Sequence, residues 1–79
     1  MDTHSQYQHR MGSDIQREGM FLELVEVASG EVVAEVFYSD RSGQFSISLD
    51  RADLPVEAVE ALIAAARERL SPVRAHRQR

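Results

Sequence analysis

Apolar and polar positions alternate most clearly over residues 20–49, MFLELVEVASGEVVAEVFYSDRSGQFSISL, which hold most of the large apolar side chains. Two segments rich in Val, Leu and Phe, residue types that suit a pleated half-buried surface, and a third of alternating apolar and polar residues are separated by two turn-forming clusters. They predict three strands, at about 20–27, 31–38 and 44–49. Ala28-Ser29-Gly30 carries the glycine that a tight hairpin needs for positive φ, and Asp40-Arg41-Ser42-Gly43 has turn composition.

The alternation in the last strand is unbroken. Phe45, Ile47 and Leu49 fall on one face, and Gln44, Ser46 and Ser48 on the other. A four-residue loop would pair Tyr38 with Phe45, Val36 with Ile47 and Ala34 with Leu49. One apolar face then collects Val32, Ala34, Val36, Tyr38, Phe45, Ile47 and Leu49, the expected core face. The first hairpin admits two registers. A two-residue turn at Ser29-Gly30 pairs Val27 with Val32; a type I turn with a glycine bulge pairs Val27 with Glu31. The second sets Glu23 opposite Glu35, an unfavourable like-charge pair, so the first is expected. A slip of one residue exchanges the faces of the first strand.

After the polar connection 50–53, the period changes. Val56, Val59, Ile63, Ala66 and Leu70 recur at spacings of three and four, with Leu62 widening the stripe, as in an amphipathic helix. Pro55 suits the first turn, with Asp53 or Leu54 as the cap. Glu57 near the start and Arg67 and Arg69 near the end suit the helix dipole. Ser71-Pro72 ends the helix. The expected fold is α+β: a three-stranded antiparallel meander with one C-terminal helix packed on one face, βββα. Ile47 of the sheet and Ile63 of the helix are expected to share its core.

The flanks lack periodicity. Residues 1–19 have few apolar groups with which to offset the entropy of ordering, and are expected to form a disordered leader. Residues 73–79 are expected to form a disordered basic tail, leaving 20–72 as the single domain.

Seventy-nine residues allow one small domain, of marginal stability unless something staples it. There is no cysteine, which removes disulfides and thiolate zinc sites from consideration. No apolar run is long enough to span a membrane, and no signal-peptide pattern is present. A cytoplasmic protein without membrane contact is expected.

The net charge of −4 is uneven. Residues 20–53 hold seven carboxylates against Arg41 and Arg51, whereas the last nine residues hold only Arg74, Arg77 and Arg79 as formal charges. An acidic sheet repels nucleic-acid backbones. The three C-terminal arginines are the positions for a phosphate contact, without interleaved aromatics to stack on bases.

No catalytic, metal or cofactor motif stands out. His4 and His9 lie in the expected leader at a spacing that fits no common metal site. Glu23, Glu26, Glu31 and Glu35 line neighbouring strands without the pattern of a calcium loop, and suit a solvated face that discourages strand pairing. No base is placed beside Ser46 or Ser48 to activate a nucleophile. An enzyme and a bound cofactor are therefore not expected.

One helix covers one face of a sheet. The opposite face should carry Val33, Glu35 and Phe37, with either Leu22, Leu24 and Glu26 or Phe21, Glu23, Val25 and Val27 beside them. An apolar patch there would mark a contact surface. The expected role is a small acidic, non-enzymatic protein-interaction module: a homodimer, or a regulator- or inhibitor-type partner of a larger protein. Its contact residues would be Leu22, Leu24, Val33, Glu35 and Phe37. The alternative is a nucleic-acid-associated protein using the C-terminal arginines.

Overall fold

The computed structural model describes residues 6–70. The chain is an α+β fold: a four-stranded antiparallel meander in the order β1-β2-β3-β4, followed by one helix. The elements are β1 (Tyr7–Asp14), β2 (Gly19–Glu26), β3 (Val32–Ser39), β4 (Phe45–Leu49) and α1 (Val56–Arg69). α1 packs on β2 and β3.

The meander and the C-terminal helix agree with the sequence pattern; the strand count does not. Residues 7–14, expected to belong to a disordered leader, form β1, paired along its full length with β2 from Tyr7↔Glu26 to Asp14↔Gly19. The physical reason lies in coverage. A helix is about 10 Å across, and strands lie about 4.8 Å apart, so one helix shields two strands. Most of β1 is beyond its reach; Tyr7, at its start, packs against the core. On its helix side it needs no apolar repeat, and it presents Tyr7, His9, Met11 and Ser13.

What β1, its turn and the start of β2 supply instead is room and charge. A Cβ on Gly12 would lie 2.6 Å from the Phe21 ring, and one on Gly19 would lie 2.1 Å from the Tyr38 carbonyl oxygen and 2.5 Å from the Phe37 ring. The two glycines thus leave the hollows over which Phe21 and Phe37 lie on the face away from α1. These rings are half-buried although no helix covers them.

The register of β2 against β3 also differs from expectation. Over most of β2 it is the one set aside on electrostatic grounds: Phe21↔Phe37, Leu22↔Val36 and Glu23↔Glu35. Repulsion between the glutamates is answered from the unexpected strand and its turn. Arg10 donates to Glu23 at 2.8 Å, and Arg17 donates to both carboxylate oxygens of Glu35 at 3.3 and 3.1 Å. The register shifts between Leu24 and Val25. Opposite that irregularity alternation breaks, and both Val33 and Ala34 are buried.

The chosen register turns Leu22 and Leu24 towards α1, where both are completely buried. The core joins them to Val33, Ala34, Val36 and Tyr38 from β3 and to Ala58, Leu62, Ala66 and Leu70 at the helix. α1 is therefore rotated by about 60° from the stripe inferred from its period. Ala58 and Ala66, with no bulk beyond Cβ, let it sit close to the leucines of β2. Val56 and Ile63, expected inside, swing to one side and are 65% and 36% exposed. Ile47 likewise lies outside the core, 42% exposed.

α1 begins after Pro55, which occupies the cap position without a side-chain cap bond. Arg51 fixes the approach to the helix, donating to Glu26 at 2.9 Å and to Glu31 at 3.1 Å across the β2–β3 hairpin.

Candidate functional site: the β4 edge

Two surfaces have the makings of a contact site: the sheet face opposite α1, and the flank formed by β4 and α1. Sequence reasoning favoured the first. Of its five contact residues, Leu22 and Leu24 lie under α1, and Val33 is 1% exposed within the same core. None of these three offers surface to a partner. Glu35 and Phe37 do lie on the opposite face, where both are engaged within the chain. The Arg17 guanidinium stands 4.2 Å above the Phe37 ring. Its Nε reaches Asp14 Oδ2 at 2.6 Å while its terminal nitrogens hold Glu35. A cation held over an aromatic face and anchored at both ends covers the ring much as a partner would.

The ion pairs perturb their own members. The side-chain hydrogen bond from Arg17 is the main cause holding the Asp14 carboxyl below its ordinary value, and that from Arg51 does the same for Glu26, assisted by Ser29. The bond to Glu35, then that to Asp14, raises Arg17. A carboxylate depressed in the folded state adds stability that is present above its unfolded value and lost as pH falls through the folded one. Both groups lie at the surface and are only partly covered, so the contribution is modest and screened by salt. The melting temperature should fall as pH drops below about 4. Glu26→Gln should reduce that dependence, as measured by thermal melts across pH; an unchanged profile would show that the Arg51–Glu26 pair contributes nothing.

The second surface was legible in part. Phe45, Ile47 and Leu49 do share one side of β4, as expected, and pair with Tyr38, Val36 and Ala34. α1 reaches only the first of them: Phe45 packs against the core, whereas Ile47 and Leu49 are left largely open. Ile47 and Leu49 are 42% and 56% exposed. Between β4 and α1 runs an open groove of about 220 Å³ lined by Val36, Phe45, Ser46, Ile47, Ile63 and Arg67. The Arg67 guanidinium lies 5.3 Å from the centre of the Phe45 ring at one end.

β4 is also an edge strand. The Asp50 N–H donates to the Val33 carbonyl and the Ser39 N–H to the Gln44 carbonyl. In an antiparallel ladder the bonding residues alternate. Gln44, Ser46, Ser48 and Asp50 therefore turn their backbone groups to β3, and Phe45, Ile47 and Leu49 turn theirs outward. Edge strands in monomers are usually blunted by charge, proline or a bulge. Residues 44–49, Gln-Phe-Ser-Ile-Ser-Leu, contain no charge and no proline, and the β3–β4 register is regular throughout. β1, the other edge, carries Arg10 and Asp14.

A second groove, about 430 Å³, lies on the β1 side of α1 between Tyr7, His9, Leu24, Ala58 and Arg69. Among the described residues no group of three or more His, Cys, Asp or Glu side chains could hold a metal, and no helix is long and apolar enough to cross a membrane. Arg74, Arg77 and Arg79, the positions for a phosphate contact, lie outside the described residues, as does the expected basic tail.

Comparison with protein-family models, with curated proteins and with solved structures finds no match for the chain.

Proposed function

We propose that this chain is a non-enzymatic protein-interaction module whose contact surface is the outer edge of β4 together with the adjoining flank of α1. One observation carries the reading. β4 is an unguarded edge strand whose outward backbone groups belong to Phe45, Ile47 and Leu49, the same residues whose side chains α1 leaves half-covered. A strand added there gains main-chain hydrogen bonds and an apolar floor together, as in recognition by β-augmentation. The sheet face opposite α1, the surface first expected from sequence, supports the role less well, because Arg17 and the ion pairs already cover its aromatic centre.

The test is capture by tagged full-length chain, as wild type and as Ile47→Glu, from a cell expressing the untagged chain and its native partners. Ile47 is 42% exposed, so the substitution should leave the circular dichroism spectrum unchanged, and the melting temperature nearly so at concentrations too low for association. A charge at the centre of the strand should abolish specific capture. Equal capture by both baits would overturn the reading.

A further inference from the structure

We infer that the occupant of the β4 edge is a second copy of this chain, its β4 running antiparallel to the first about a two-fold axis through Ile47. This inference rests on the β4 edge being the contact surface and goes on to name what covers it. The argument is one of register and charge. About that axis Ile47 meets the partner's Ile47, and Phe45 meets the partner's Leu49. All three residues have outward-turned backbone groups, so each facing pair can form its ladder bonds. The Phe45, Ile47 and Leu49 side chains of both copies then share one surface, on the side that bears the helices. An isologous contact needs this self-complementarity.

The helix flank supplies the charge complement. At 100° per residue, the side of α1 that turns Ile63 and Arg67 towards β4 also carries Val56 and Glu60. Ile63 and Ile47 line the same groove, which puts the two-fold axis level with Ile63. Glu60 stands three residues before that level and Arg67 four residues after it. With the helices antiparallel, Glu60 of each copy comes opposite the partner's Arg67. Each helix sits about two strand spacings from the axis, so the helix axes are about 20 Å apart. About 10 Å remains between their surfaces, a gap floored by the six apolar side chains of β4 and walled by Ile63, Glu60 and Arg67. A flank of uniform charge would repel its own copy. This one carries opposite charges placed almost evenly about its centre.

Sedimentation of the full chain over a concentration range, combined with charge exchange and cysteine cross-linking, tests the inference. Wild type should be dimeric, and Ile47→Glu should weaken association by roughly a hundredfold or more, as loss of a central interface residue does. Across such a gap the charges act through solvent, so at low salt Glu60→Arg and Arg67→Glu should each weaken it by roughly two- to threefold, and the double exchange should return it to near wild type. The chain has no cysteine of its own, so introduced ones report cleanly. Ile47→Cys should cross-link to itself under oxidation, since paired residues place their Cα atoms at about 5.5 Å. Leu49→Cys should cross-link only when mixed with Phe45→Cys.

Three outcomes would overturn it. If the wild type is monomeric at its solubility limit while Ile47-dependent capture of a different protein persists, the second copy falls and the β4 contact surface stands. If a dimer forms that Ile47→Glu leaves intact, both fall. If the dimer depends on Ile47 but the double charge exchange stays as weak as the single ones and Leu49→Cys cross-links to itself, the register is refuted.

Discussion

Leu62→Ala should unfold much of the population at room temperature, while Ile63→Ala, one residue further on, should leave the fold nearly as stable as the parent. Leu62 is completely buried where α1 packs on β2 and β3, one of the ten buried residues of the core. Truncating such a leucine costs about 2–5 kcal/mol, from lost transfer energy and the cavity left behind. A folded unit of this size has a total stability of only about 3–10 kcal/mol. The flanking Ala58 and Ala66 have no larger side chain to collapse into the hole. Ile63 is 36% exposed on the flank, where truncation should cost about 1 kcal/mol or less. Urea titrations of both variants, at concentrations low enough to prevent self-association, decide the matter. Equal losses would mean that α1 presents the stripe inferred from its period, with Ile63 inside.

Removing residues 1–18 should abolish cooperative unfolding, an effect of similar size by a different route. Without β1 and its turn, β2 becomes an edge strand with apolar residues on both sides. Phe21 loses the strand against which it lies, and the cation over Phe37 disappears. Glu23 and Glu35 remain opposite each other with neither Arg10 nor Arg17 beside them. Loss of the charge balance alone can be separated from loss of the strand by adding Glu23→Gln to the shortened chain. This should recover a part of the stability and not the whole. Thermal melts followed by circular dichroism provide the readout. A shortened chain that melts like the full one would show that the working sheet has three strands.

The elements read correctly from sequence are those with an apolar row on one side. β2 and β3 alternate because one side of each turns towards the helix, α1 has a helical period because one side of it meets the sheet, and β4 keeps the alternation although only Phe45 reaches the core. β1 left no such trace, since beyond Tyr7 its helix side lies out of reach of α1 and its other side presents charges and a glycine. The register of β2 was hidden for the same reason. Weighed alone, Glu23 opposite Glu35 is a penalty; it becomes acceptable only with Arg10 and Arg17, which belong to the segment that lacked a pattern. The rotation of α1 turned on Ala58 and Ala66, whose small size is uninformative to a hydrophobic period and decisive for close packing. The contact surface was half legible. Phe45, Ile47 and Leu49 stood out as one apolar row, but a row of this kind reads equally as core until the width of the sheet is known. With three strands a central helix covers most of it. With four it leaves β4 to something else.

Residue-resolved amide exchange at increasing protein concentration examines that uncovered edge directly. In an isolated chain the N–H groups of Phe45, Ile47 and Leu49 have no strand to bond and should exchange rapidly, while those of Ser46 and Ser48, bonded to β3, exchange slowly. As concentration rises and a second copy adds its strand, the three rapid amides should become protected together, and Ile47→Glu should return them to rapid exchange. Phe45, Ile47 and Leu49 amides that stay rapid at every concentration, while the chain sediments as a dimer, would contradict the β4 edge as the surface on which this protein meets its partner.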